Sequence, residues 1–244
     1  MSDLEPFFNS AEECAAYETF CAEQERGEGA FELSTPALVC RWRMAKRGVP
    51  LLNRHIRALS QRVVNGAPLT TNMLSWAKQH VEWSLAAGSY DDPNGVLMLV
   101  IDINGDALMS VGPYEPLEHT DRAALIARAK TGRAEAASTA VAPELLGAMC
   151  PDGSVLLAAC EDEPLCGAAT LVMQLAQTRG HAVTYGMQPG CDIDEFVAAL
   201  DEGASVFLVA DEHGVVPEDA YPATSADAHA VVDQLAADVG KLFS

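Results

Sequence analysis

Lysine is scarce in this chain. Only Lys46, Lys78, Lys130 and Lys241 occur among 244 residues, and from Ala134 to Gly240 the only basic side chain is Arg179. With a formal charge of −20, the protein lacks the positive surface that binding a phosphate backbone needs, which argues against a nucleic-acid partner. No apolar run approaches the roughly 20 residues of a membrane helix. The acidic start MSDLEPFFNSAEEC has neither the basic nor the apolar part of a secretory signal, so the expectation is a soluble, cytoplasmic protein with no membrane partner. The cysteines, Cys14, Cys21, Cys40, Cys150, Cys160, Cys166 and Cys191, include no CxxC pair, and the histidines show no HxxxH or HExxH spacing. A reduced compartment and no metal site are therefore expected.

What is present is an apolar content of 49%, enough for a sizeable core in one large domain or two lobes. AEECAAYETFCAEQER predicts an amphipathic helix that stops at Gly27-Glu28-Gly29, so residues 1–30 are read as an N-terminal helical cover. ALVCRWRM alternates Leu38, Cys40 and Trp42 with Val39, Arg41 and Arg43, which predicts a strand with one basic face. Next, LLNRHIRALSQRVV places Leu52, Ile56, Leu59 and Val63 at helical spacing. A second helix is predicted from Thr70 to Ala87, with Met73, Trp76, Ala77, Val81 and Leu85 inward. VLMLVIDI reads as a buried strand that Asn104-Gly105 turns into ALMSV.

Residues 31–120 thus form a small α+β lobe and residues 121–244 a larger α/β lobe. Gly132 and Pro143 mark the crossing between them, and a last helix runs from about Asp227 to Phe243.

The basic residues crowd into one stretch, Arg41, Arg43, Lys46, Arg47, Arg54, Arg57 and Arg62. They are either a solvated face that pairs with the acidic remainder or an anion pocket, onto which an acidic exterior would focus a phosphate or carboxylate. His213, in a loop after a predicted strand, is a further candidate.

The region from Asp152 to Pro217 carries an order of landmarks: DGSVLL, LCGAAT, RGHAV, DIDEF, SVFLVADE and VVP. Together with RWRMAKRGVPLLNRHIRAL and VLMLVIDINGD, this order resembles the class IV (fold-type IV) pyridoxal-phosphate aminotransferases and aminodeoxychorismate lyases. The resemblance covers most of the chain from about Val39. It implies a two-lobed fold, a homodimer, an imine between cofactor and lysine, and an amino acid or amino-chorismate type substrate. Lys130 is the lysine nearest the family position, and the cofactor contacts fall on Arg41, Arg43, Arg57, Gly167, Ala168 and Thr170.

The chain departs from the family at those contacts. The arginine of His-x-x-Arg falls on Ala58, with Arg57 one position early, and the hydroxyl of Gly-Ile-Thr falls on Ala169. Asp211 stands where a second phosphate loop has a hydroxyl, and its charge would repel a phosphate. Three readings follow. One is a pyridoxal-phosphate aminotransferase or lyase using Lys130. Another is a cofactor-free relative that binds a small anionic or amino-acid-like ligand or a protein partner near Arg41, Arg43 and Arg57. The last is a doubly wound α/β domain unrelated to the family, which a parallel sheet would reveal.

Overall fold

The computed structural model describes residues 34–88 and 92–244. The helix expected over residues 1–30 lies outside them, as do Cys14 and Cys21. Strand β1 (Pro36–Arg43) keeps the predicted alternation, with Leu38, Cys40 and Trp42 buried and Arg41 exposed. Helix α1 (Leu52–Leu59), the short pair β2 (Val63–Val64) and β3 (Ala67–Pro68), and helix α2 (Thr71–Ala87) follow. Thr70 caps α2, its Oγ1 accepting from the Met73 N–H at 3.2 Å, and Gly88 ends it at φ +68°.

Strands β4 (Val96–Asp102) and β5 (Ala107–Gly112) form the expected hairpin. Its turn is held by Asp102 Oδ1, which accepts from the N–H groups of Asn104 (2.8 Å) and Asp106 (3.0 Å). The sheet order is β1-β4-β5, all antiparallel. The Met73, Trp76, Ala77, Val81 and Leu85 stripe of α2 packs with Leu38, Trp42, Leu97 and Leu99 in one core.

The chain continues through α3 (Arg122–Thr139), β6 (Glu144–Met149), β7 (Val155–Leu157), α4 (Gly167–Thr178), β8 (Val183–Tyr185), α5 (Ile193–Ala198), β9 (Ser205–Ala210), β10 (Gly214–Pro217) and α6 (Ala226–Gly240). These strands make a sheet of order β10-β9-β6-β7-β8, parallel only between β7 and β8. The doubly wound alternative is therefore corrected. β6 passes to β7 through the Asp152-Gly153 turn, where Gly153 has φ +83°, and so short a link makes an antiparallel hairpin and cannot carry a crossover helix.

The two central strands, β6 and β9, are buried on both faces. Leu145, Met149, Phe207 and Val209 pack under α4 and α6. Leu146, Ala148, Val206 and Leu208 pack under α3 and α5. Each fully buried leucine here contributes roughly 1.5–3 kcal/mol relative to exposure.

Gly132 does not mark a crossing between lobes. It lies in the third turn of α3, where a Cβ would stand 2.7 Å from the Glu144 carbonyl oxygen. Its missing side chain lets the helix approach the start of β6. No helix among the described residues is long and apolar enough to cross a membrane.

Candidate functional site

A cavity of about 360 Å³ lies where the two sheets meet, walled by β1, α3, the start of β6 and the end of β9, with Arg62 also in its lining. The α3 wall presents Arg128, Thr131, Gly132 and Glu135, an i, i+3, i+4, i+7 set that shares one helix face. Gly132 supplies the room.

Charges of both signs line the space. Arg41 Nε lies 3.0 Å from Glu212 Oε2, Arg128 pairs with Glu144, and Arg62 Nη1 stands 3.5 Å from Glu135 Oε1. The Arg62 side chain is only 4% exposed. Its Nη1, the Arg128 Nε and the Glu135 Oε1 are all buried without a hydrogen-bond partner. Such groups are rare in folded proteins and each costs about 1–3 kcal/mol unless something satisfies it. Burial pushes the carboxyls of Glu135 and Glu212 up, against the pull of Arg62 and Arg41 respectively. It also drives the Cys40 thiol in the cavity wall up to about 11, which leaves that thiol protonated and unreactive at neutral pH.

Asp211 also lines the cavity. Its Oδ1 accepts from the Ala168 N–H at 2.7 Å, in the first turn of α4, whose N-cap residue Cys166 makes no side-chain cap of its own. Its Oδ2 lies 3.2 Å from Nδ1 of His55, whose ring is stacked on Trp42. Burial would raise the Asp211 carboxyl, but His55, the Ala168 amide and Arg62 outweigh it and hold the group below the usual carboxylate range. The expected repulsion is thus turned round: the carboxylate itself sits at the helix N-terminus, where a negative charge is favoured.

The residues singled out in the sequence are only partly brought together. Arg41 lines the cavity. Arg43 lays its guanidinium on the Tyr114 ring, and its backbone N–H donates to the Asp211 carbonyl at 3.2 Å. Gly167 and Ala168 open α4 as read, and Thr170 Oγ1 accepts from Arg54 Nη1 at 3.0 Å while donating to the Gly167 carbonyl. Arg57 is exposed, its Nε donating to the Asn53 carbonyl, and it lines a separate groove with Arg47 and Arg54.

Lys130 pairs with Asp194 on the outer side of α3 at 2.7 Å. It is two residues from both Arg128 and Gly132, so about 200° of helix rotation separates it from the cavity face. Arg62 belongs to the basic stretch that the sequence offers as an anion pocket, whereas Glu135, Arg128 and His55 carry no such signal. The helical spacing of Arg128, Thr131, Gly132 and Glu135 was the available signal for the α3 wall.

No family model matches the sequence, and no curated protein does. Solved structures match over most of the chain. A hypothetical aminotransferase from Mycobacterium tuberculosis, in its PLP-bound form, aligns with a TM-score of 0.51 at 11% identity, over 84% of this chain and 89% of that one. A structure named as a 4-amino-4-deoxychorismate lyase aligns with a TM-score of 0.50 at 14% identity, over 83% of this chain and 94% of that one. The fold is that of the class IV aminotransferases.

Within that class IV fold, the described residues that line this cavity do not fit pyridoxal phosphate. No lysine is among them, so they supply no amine for an imine. The amide that opens α4 is engaged by Asp211, which sets a carboxylate against any phosphate brought there.

Proposed function

We propose that the protein uses the class IV fold without pyridoxal chemistry, as a binder of a small zwitterionic, amino-acid-like ligand in the cavity between the sheets. The observation that carries this reading is the pair Arg62 and Glu135. A donor, Arg62 Nη1, and an acceptor, Glu135 Oε1, lie 3.5 Å apart in the wall of one cavity, both buried and neither hydrogen-bonded. A carboxylate on the ligand would satisfy Arg62, an ammonium would satisfy Glu135, and the Arg128 Nε, also buried without a hydrogen bond, belongs to a residue of the same wall. A ligand with only one of these groups leaves the other protein atom unpaired, at about 1–3 kcal/mol. The volume of about 360 Å³ falls at the small end of ligand sites.

The test is a thermal-shift and calorimetric series of free amino acids against carboxylates of the same skeleton that lack the amine. Zwitterions are expected to stabilise the protein and the deaminated analogues to do so about tenfold more weakly. Arg62→Met abolishes the effect and Lys130→Ala leaves it unchanged. Equal responses to both ligand series, or binding that survives Arg62→Met, would overturn the reading. An imine absorbance that develops with added pyridoxal phosphate and disappears in Lys130→Ala would instead support an aminotransferase or lyase, and would require Lys130 to leave Asp194.

A further inference from the structure

A ligand with one ammonium answers only part of the cavity's negative charge. In two of the ion pairs along its lining the carboxylate is the sheltered partner and the guanidinium the exposed one. The Glu212 side chain is 14% exposed against 59% for Arg41, and Glu144 is 16% exposed against 38% for Arg128. An exposed guanidinium gives up an ion pair at little cost, because water takes the partner's place. A sheltered carboxylate has no such substitute and needs a cation beside it. Arg41 is therefore exchangeable, and Glu212 is a fixed demand for positive charge. Glu144 joins the acidic groups into one field, since it adds to burial in pushing up the carboxyls of both Glu135 and Glu212. With Asp211 included, the lining holds four carboxylates against the guanidinium groups of Arg41, Arg62 and Arg128. What distinguishes this from a solvated acidic face is Arg62 in the same lining, 4% exposed and with no hydrogen-bond partner for Nη1.

We infer that the cavity takes a dibasic amino acid, of the lysine or ornithine class, whose second cation replaces Arg41 on Glu212. The inference rests on the zwitterion reading and extends it: the carboxylate goes to Arg62, the α-ammonium to Glu135 and the side-chain cation to Glu212. The extra positive charge offsets the excess of carboxylates in the lining, whereas a dicarboxylic amino acid would add to that excess. The formal charge of −20 works in the same direction, because it draws cations towards the protein.

The experiment is calorimetric titration of the full chain, at constant ionic strength, with lysine and norleucine, with ornithine and norvaline, and with glutamate. Within each of the two pairs the skeleton is kept and only the side-chain ammonium is removed. The better of lysine and ornithine is expected to bind at least about tenfold more tightly than its partner, the order of one charge-assisted hydrogen bond. Glutamate should bind more weakly than norvaline. Arg41→Gln should widen the dibasic preference, because no internal guanidinium then competes for Glu212, and Glu212→Gln should abolish it. A substitution that only loosens the fold weakens both members of a pair alike and leaves their ratio unchanged. If Glu212→Gln does not fold, Arg41→Gln decides, since it alters a mostly exposed side chain, and an unchanged ratio there overturns the inference. Equal binding within both pairs by wild type, or glutamate binding as tightly as lysine, would overturn the inference and leave the zwitterion reading standing. No binding of any of these ligands, or binding that survives Arg62→Met, would overturn both.

Discussion

Acidification should destabilise this protein through His213. The residue occupies the turn between β9 and β10, its side chain 4% exposed, its Nδ1 buried and unpartnered, and its ring tilted against Tyr114. Burial, and then the charges of Arg128, Arg41 and Arg43, hold the imidazole at about 4 against an ordinary 6.5. In the unfolded chain the same imidazole takes up a proton near 6.5, so the unfolded state binds more protons throughout the interval between the two values. Stability from this group is therefore fully present above about pH 6.5 and is lost as pH falls towards about 4. The difference corresponds to at most roughly 3 kcal/mol, and solvent near the turn reduces it to about 1–2 kcal/mol.

Glu135 and Glu212 act in the opposite sense. Their raised folded-state values mean that protonation favours the folded form on acidification, so the wild-type curve alone is a sum. The assay is urea unfolding of wild type and His213→Gln at pH 7, 5.5 and 4.5, which subtracts the shared carboxylate contributions. Wild type should lose about 1–2 kcal/mol more than the variant over that interval. Parallel pH profiles for the two proteins, or a His213 ring resonance that titrates near 6.5, would refute the reasoning.

Two further outcomes test the architecture. Arg122 holds the fully buried carboxylate of Glu218 through Nε at 2.7 Å and Nη2 at 2.9 Å, while Glu218 also accepts from the Val206 N–H at 2.8 Å. Arg122→Met should cost about 3–5 kcal/mol in urea unfolding at neutral pH, because it strands a buried charge, and Glu218→Gln should cost less. Gly132→Ala forces α3 away from the Glu144 carbonyl and should cost about 1–3 kcal/mol. It should also weaken ligand stabilisation at the cavity more than a similarly destabilising substitution in α6 does.

The sequence makes the elements legible where the determinants are local. Alternation in β1, the apolar stripe of α2 and the Asn104-Gly105 turn each involve residues a few positions apart, and the structure holds them as read. Gly132 differs: the sequence suggests a crossing between lobes there, and the structure places it inside α3. In this helix it is a close-approach residue, and only the position of Glu144 against the helix makes that visible.

The site was less legible because its pairs join distant segments. Arg62 meets Glu135, and Asp211 meets both Ala168 and His55, across long stretches of chain. Asp211 was recognised as anomalous, but the sign of its effect depends on the helix end it faces. Lys130 could have been placed outside the site from helical arithmetic alone, since it is out of phase with the Arg128 and Gly132 face.

The cavity's charge balance connects its two unusual features. Its wall carries three guanidinium groups, Arg41, Arg62 and Arg128, against four carboxylates, Glu135, Glu144, Asp211 and Glu212. A phosphate dianion entering this ring would meet more negative than positive groups and would lose its hydration in exchange for repulsion. A zwitterion adds no net charge and offers a hydrogen-bond partner to both Arg62 Nη1 and Glu135 Oε1, which lack one. Removing the Asp211 carboxylate brings the ring to balance and frees the Ala168 amide together. On the proposed reading, the same carboxylate disfavours phosphate esters relative to a charge-neutral ligand, so Asp211→Gly should gain phosphate binding while keeping zwitterion binding through Arg62. A variant that trades one ligand fully for the other would show that the two anion positions overlap.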